Sequence, residues 1–254
     1  MSAILSVRDL TVRFGGVTAV DGVGFAVEAG TLLGLIGPNG AGKTTVMRAI
    51  TGIVSPGEGT VELAGRRITG LPTHARVRLG LGLSQQLVRP FRGMTLIENV
   101  AFAAGHALTR GALGAFAAVG RSKQRARARE LLELVGIAGR AEERPDAVPL
   151  GVLKRMEVAR ALALDPKVLL LDEPLAGLNS GEAATLADTV VALNARGLTI
   201  VLIEHNLSEV MRICGRLVVL DNGRVIGEGA PREVMADRRV RAAYLGAEVG
   251  DAAA

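Results

Sequence analysis

Residues 37–45 read GPNGAGKTT, and Gly37, Gly42, Lys43 and Thr44 fill the pattern G-x-x-x-x-G-K-[ST]. Pro38, Asn39, Gly40 and Ala41 stand between them, and Thr45 completes the stretch. Glycines let a backbone curl around a phosphate and present many N–H groups to its oxygens. Lys43 is placed to reach β- and γ-phosphates, and the Thr44 hydroxyl to hold Mg²⁺. The implied chemistry is nucleotide binding. The plain alternative is a turn in a chain that holds 33 glycines. Context decides between them. TLLGLI (31–36) reads as a buried strand and TTVMRAITG (44–52) as a helix. That strand–loop–helix setting is what the pattern requires, and the helix start aims free N–H groups at an anion.

Two further runs end in groups suited to the same chemistry. VLLLDEP (168–174) delivers Asp172 and Glu173 after four apolar residues. A buried parallel strand would place both at its C-terminal end, where ligands bind in such sheets. Asp172 would support Mg²⁺ and Glu173 would polarise an attacking water as general base. Read alone, an Asp-Glu pair there is equally well a helix N-cap. LTIVLIEH (198–205) ends in His205, placed for a γ-phosphate contact; a single histidine is otherwise more often structural. After the strand LGLS come Gln85 and Gln86, where a hinge glutamine would touch Mg²⁺ and water; spacing alone does not choose between the two.

The elements that must position these groups follow from periodicity. Residues 4–36 hold β-like runs (ILSVRDLTVRF, VTAVDGVGFAV, TLLGLI) punctuated by glycine, and GTVELAG with RRITG resembles a hairpin. LPTHARVRLG holds a short helix. From about 88 to 156 strand signals vanish, and MTLIENVAFAAG and KQRARARELLELVG read as helices, the second stopped by Gly136. Alternation then resumes: helix 151–164, strand 168–174, helix 180–197, strand 198–205, helix NLSEVMRIC, and a hairpin over 216–229 turning at Asn222-Gly223. Continuous apolar strands alternating with helices imply an α/β core around a mostly parallel sheet. AEVGDAAA (247–254) reads as a disordered tail.

Composition bounds the partners. The 254 residues carry a net charge of +5, one Tyr, five Phe and no Trp, so base stacking on nucleic acid is poorly supported. RSKQRARARE (121–130) is a solvated helix face or a face near anionic lipid or a membrane partner. The lone Cys214 excludes an intrachain disulfide and reads as a small core residue. No run is long enough to span a bilayer, and MSAILSVRDL lacks the features of a signal peptide. ALGAFAAVG (112–120) is a packed or interfacial segment.

Together these pieces resemble the ATP-binding cassette family over almost the whole chain. The resemblance implies a P-loop NTPase (RecA-like) core with an N-terminal antiparallel β subdomain and an inserted α-helical subdomain. It divides one cassette, 1–254, into a core of 1–87 and 157–230, a helical part of 88–156, and a C-terminal helix and tail of 231–254. In family terms 37–45 is the Walker A loop, Asp172 ends Walker B, Glu173 is the catalytic glutamate, AGLN (176–179) the D-loop and His205 the switch histidine. Aligning SQQLVRPFRGMTLIENV with the family selects Gln86 as the Q-loop residue and a Mg²⁺ contact. Phe14 matches the aromatic that stacks on adenine; otherwise it is a core Phe. AGLN, IEHN, the long segment 105–120 and PREVMADRRVRAAYLG resemble uptake ATPases for branched-chain amino acids. The implied cofactors are ATP and Mg²⁺. The implied partners are integral membrane permease subunits, a second cassette (identical or different) and, indirectly, a periplasmic or extracellular solute-binding protein, with this chain on the cytoplasmic face.

One departure stands out. The family's L-S-x-G-Q signature is represented by Val148, Pro149, Leu150, Gly151 and Val152, and only Gly151 survives. In the family each signature loop completes the partner's ATP site. Pro149 offers neither a hydroxyl nor an N–H, whereas the Gly151 N–H and the helix start can still meet phosphate. The expectation is an asymmetric dimer, with a working variant loop as the competing reading. Two other functions compete with transport. A soluble cassette protein acting on nucleic acid or ribosomes would carry two cassettes or a coiled-coil insertion, and 46–167 shows no sustained heptads. A small-molecule kinase is disfavoured by Glu173 beside Asp172 and by His205.

Overall fold

The computed structural model describes residues 3–84, 88–105 and 121–251, with side chains given except at 121 and 245–251. Gln86, Gln85 and the segment 112–120 lie outside the described residues.

Among the described residues ten strands build two sheets. β1 (Ala3–Phe14), β2 (Val17–Glu28), β4 (Glu58–Leu63) and β5 (Arg66–Arg67) form an antiparallel sheet in the order β2-β1-β4-β5. β3 (Leu32–Ile36), β6 (Leu81–Ser84), β7 (Val168–Asp172), β8 (Thr199–Ile203), β9 (Arg216–Asp221) and β10 (Arg224–Gly229) form the second, ordered β10-β9-β3-β8-β7-β6. Its pairs are parallel except β9 with β10, a hairpin whose turn residues Asn222 and Gly223 both have positive φ.

The helices are α1 (Lys43–Thr51), α2 (Thr73–Arg78), α3 (Leu96–Ala104), α4 (Arg121–Leu134), α5 (Leu150–Leu162), α6 (Ser180–Ala195), α7 (Leu207–Ile213), α8 (Pro231–Ala236) and α9 (Arg238–Asp251). The α/β class read from the sequence holds. The disordered tail does not: α9 continues the backbone helix through Asp251, and 252–254 lie outside the described residues. Ala, Glu, Val, Gly and Asp at 247–251 extend a helix already nucleated by 238–246, which the composition of the last residues alone concealed.

The parallel strands are buried on both faces, so alternate residues feed two cores. Leu33 and Leu35 of β3 join Leu170, Ile203 and Leu220 between the sheets, together with Val46, Met47 and Ile50 of α1. Leu32 and Ile36 join Leu169, Leu171, Leu202 and Val219 on the opposite face, under α3 to α6. Cys214 is buried in this second core. On exposed α4 the arginines face acids: Arg125 pairs with Glu142 at 2.6 Å and Arg127 with Asp165 at 3.0 Å. These pairings favour the solvated-face reading of that cluster.

Candidate active site

Register gathers the site. Leu35 of β3 and Asp172 of β7 both pair with Ile203 of β8. The residues that follow these strands, Gly37 onward, Glu173, Glu204 and His205, therefore emerge at one end of the sheet. β6 pairs with β7 through Ser84 and Leu171, so β6 also ends at that end of the sheet.

Gly37 shows why the loop needs glycine. Its φ is +149°, and a Cβ there would lie 2.1 Å from the carbonyl oxygen of Leu220. Gly42 caps α1 with no side-chain hydrogen bond, leaving the first-turn N–H groups facing the loop. Lys43 is buried, and its ammonium donates to the Gly37 and Pro38 carbonyl oxygens at 2.7 and 2.8 Å. Burial lowers its pKa, against the opposing pull of Glu173 and Asp172.

The far end of α1 is anchored by a residue the sequence reading missed. Arg76 is 1% exposed. Its guanidinium donates to the carbonyls of Ala49 and Ile50 at 2.7 Å, and to those of Leu71 and Thr69 at 2.8 and 2.5 Å. A cation thus satisfies the last carbonyls of the loop's helix, where the helix dipole favours positive charge. Its partners are all backbone oxygens, which leave no trace in a sequence.

Asp172 ends β7 with Oδ1 buried and without a hydrogen-bond partner among the described residues. Burial and the neighbouring Glu173 raise its pKa. A buried carboxylate oxygen without a donor suits a cation ligand. No cluster of three or more His, Cys, Asp or Glu able to hold a metal occurs among the described residues. Mg²⁺ in nucleotide sites takes one or two protein groups, with phosphate and water oxygens completing it, so Asp172 and Thr44 are a sufficient donor set.

Glu173 has φ +48°, a left-handed conformation that costs a non-glycine residue about 1–2 kcal/mol. Its N–H donates to Ile203 O at 2.9 Å, and its Oε1 lies 2.5 Å from His205 Nε2. The structure thus joins the expected base and the expected switch histidine directly. Glu204, 3% exposed, accepts the Leu175 and His205 N–H groups at 2.7 and 3.2 Å, and burial raises its pKa. It fixes both the loop after Glu173 and the His205 backbone. Sequence reading passed over it; the only signal was an acid following a wholly apolar strand.

Phe14 stands at the end of β1, 51% exposed, rather than in a core. AGLN leads into α6, whose N-cap Asn179 accepts the Glu182 N–H at 2.9 Å in a capping box. In the altered loop Pro149 is the N-cap of α5 and makes no side-chain cap. Leu150 lies against Gly177, since a Cβ there would be 3.1 Å from Leu150 Cδ2. Gly151 is buried beside Glu182, whose Oε1 would lie 2.8 Å from a Cβ at that position. A side chain at 151 would displace the Glu182 carboxylate, which closes the capping box of α6.

A P-loop at the end of a parallel sheet, faced by an Asp-Glu pair and a histidine, defines a nucleoside-triphosphate-hydrolysing cassette. Comparison with known proteins places it further. The ABC transporter family matches residues 20–176, and the branched-chain amino acid ATP-binding cassette transporter family matches residues 224–250. The high-affinity branched-chain amino acid transport ATP-binding protein LivG of Salmonella typhimurium is 38% identical over 249 residues, spanning 96% of this chain and 98% of that protein. The lipopolysaccharide export system ATP-binding protein LptB of Acidithiobacillus ferridurans is 34% identical over 246 residues, covering 97% and 98%. Among solved structures, the ADP conformation of MJ1267, an ATP-binding cassette of an ABC transporter, superposes with a TM-score of 0.86 at 30% identity, covering 97% of this chain and all of that one. The chain belongs to the ATP-binding cassette transporter family. It is an ATP-binding ATPase subunit whose hydrolysis is coupled to transport.

Proposed function

We propose that this chain powers an importer of branched-chain amino acids or a similar small organic solute. The observation that carries the mechanism is the convergence of Lys43, Asp172, Glu173 and His205 around one phosphate-binding loop. Similarity along the whole chain does not choose the cargo, because an export-system subunit matches nearly as well as a branched-chain one. The branched-chain family's match to 224–250 is what favours uptake of those amino acids.

In this reading Phe14 stacks on adenine. The backbone N–H groups of 37–45 and the start of α1 receive the phosphates. Lys43 exchanges its two carbonyl acceptors for phosphate oxygens. Thr44, Asp172 and Gln86 would hold Mg²⁺, which supplies charge neutralisation at the β- and γ-oxygens. Glu173 accepts the proton of the attacking water, and His205, already bonded to Glu173, contacts the γ-phosphate. The region 88–156 passes the motion to permease subunits from the cytoplasmic face, while 1–87 and 157–230 bind nucleotide. No described helix is long and apolar enough to cross a membrane. A solute-binding protein outside the membrane supplies the solute. Nucleic acid is not a partner: aromatic residues are few, and the α4 arginines Arg125 and Arg127 are engaged by acids.

The second cassette completes each ATP site. With Pro149 at the N-cap, this chain offers its partner only backbone N–H groups from α5. We infer an asymmetric pair in which the site using this chain's loop 148–152 turns over ATP slowly. Reconstitution in vesicles with permease, partner cassette and binding protein tests both points. ATP-dependent uptake of leucine, isoleucine or valine supports the branched-chain cargo, uptake confined to urea or amides leaves only the wider small-solute reading, and the absence of any ATP-dependent uptake overturns the importer. P149S/V152Q should raise the ATPase rate; unchanged hydrolysis and uptake would sink the asymmetry.

A further inference from the structure

Lys154 lies in the second turn of α5, the helix whose first turn is the altered loop 148–152. It is 5% exposed. Lysines are almost never buried to this degree unless something binds the ammonium. Here Nζ donates to the backbone carbonyl oxygen of Glu173 at 3.1 Å. The carboxylates of Glu204, Glu173, Asp172 and Glu157 all act on it, and burial still lowers its pKa. It is therefore a cation held out of water, directed at the one peptide that follows the general base.

That peptide belongs to a residue in an unfavourable conformation. Glu173 is left-handed at φ +48°. Its N–H is tied to Ile203 of β8 at 2.9 Å, its carbonyl to the Lys154 ammonium of α5 and to the Ala176 N–H at 3.2 Å, and its side chain to His205. Such a conformation persists only where surrounding contacts over-determine it. The β8 contact fixes one side of the residue, and the Lys154 ammonium and the Ala176 N–H fix the other.

We propose that Lys154 is a positioning residue: it holds the Glu173 peptide in the left-handed turn that aims the carboxylate, and it ties this chain's own general base to the helix whose N-terminus faces the partner's ATP. This rests on the reading of Glu173 as base. The link is mechanical and runs through one side chain. A shift of α5 caused by ATP at the partner's site moves the ammonium, and with it the Glu173 carbonyl. The two sites of a dimer are thereby connected within one chain, across the short distance from residue 154 to residue 173.

The test uses the reconstituted transporter with K154M, K154R and E173Q. K154M keeps the length of the stem and removes the donor. Its kcat should fall about 5- to 30-fold while the ATP dissociation constant stays within about 2-fold, because the phosphate-binding loop is untouched. Its Tm should fall, since the Glu173 carbonyl and the nearby carboxylates lose their buried cation, so it is the unchanged ATP affinity that marks a positioning role. K154R, which restores a donor, should recover most of the rate. A K154M rate within about 2-fold of wild type overturns the proposal. So does a joint loss of kcat, ATP affinity and Tm, or an Arg variant no better than Met. E173Q separates the two readings. If it abolishes turnover while K154M does nothing, only the Lys154 proposal falls; if it hydrolyses ATP normally, the reading beneath it falls.

Discussion

Gly37→Ala isolates what the first glycine of the loop does. A Cβ at Gly37 would stand 2.1 Å from the Leu220 carbonyl oxygen on β9. Ordinary contact begins near 3.5 Å, so the loop or the β9–β10 hairpin must yield by roughly 1.4 Å. Overpacking of this kind costs about 1–3 kcal/mol. The φ of +149° adds about 1–3 kcal/mol for a residue with a side chain. The total is about 2–6 kcal/mol. Strain present with and without ATP appears as lost stability. Strain escaped by rearranging the empty loop reappears as lost affinity, at about 1.4 kcal/mol per tenfold. Gly40→Ala is the control. Its φ is +78° and a Cβ there meets nothing within 4 Å, so it bears only the left-handed cost of about 1–2 kcal/mol. Urea unfolding and titration with a fluorescent ATP analogue, summed for each variant, give the comparison. Gly37→Ala should exceed Gly40→Ala by about 1–3 kcal/mol, the overpacking part that only Gly37 bears. Equal sums would refute the claim that close approach to Leu220, rather than backbone freedom alone, dictates glycine at 37.

Further outcomes follow from the same structure. Lys43→Ala should weaken ATP binding at least about tenfold, because the ammonium that now bonds Gly37 and Pro38 is the group that would meet phosphate; titration checks it. The buried Glu204 has a raised pKa, so the folded chain takes up its proton at a pH where the unfolded chain is already ionised. Its contribution is fully present below the ordinary carboxylate pKa and is lost as pH rises through the raised value; E204Q should flatten the part of a Tm-versus-pH curve that lies above the ordinary carboxylate range. Asn179→Ala removes the acceptor for the Glu182 N–H and should cost about 1 kcal/mol, seen as a Tm drop of about 2–4 °C.

The parts of the site that could be read from the sequence are those whose chemistry is local. The loop 37–45 and the acid pair at 172–173 each sit at the end of a strand whose own residues announce it. The two-sided burial of β3, β7 and β8 also left a mark, as unbroken apolar runs. What stayed hidden depends on contacts distant in sequence and made to backbone atoms. Arg76 reads as one arginine among many, yet it closes the last turn of α1. Lys154 and Glu204 are ordinary charged residues until α5 and β8 carry them to the loop after β7. The direct bond between His205 and Glu173 needed the register of β7 on β8. The left-handed turn at Glu173 has no sequence signal, because glutamate does not favour it and contacts to Ile203, Lys154, Ala176 and His205 hold it there. The end of α9 was missed for the opposite reason: its residues look unstructured alone and gain helix from the turns before them.

The central claim is that Glu173 is the base for hydrolysis at this chain's own loop. E173Q in the assembled transporter tests it most directly, with ATP binding and steady-state hydrolysis measured on the same preparation. The account predicts ATP affinity within about threefold of wild type and a hydrolysis rate reduced at least about 100-fold, because the carboxamide retains the geometry and cannot accept the proton. Hydrolysis within about threefold of wild type, with binding intact, would contradict it.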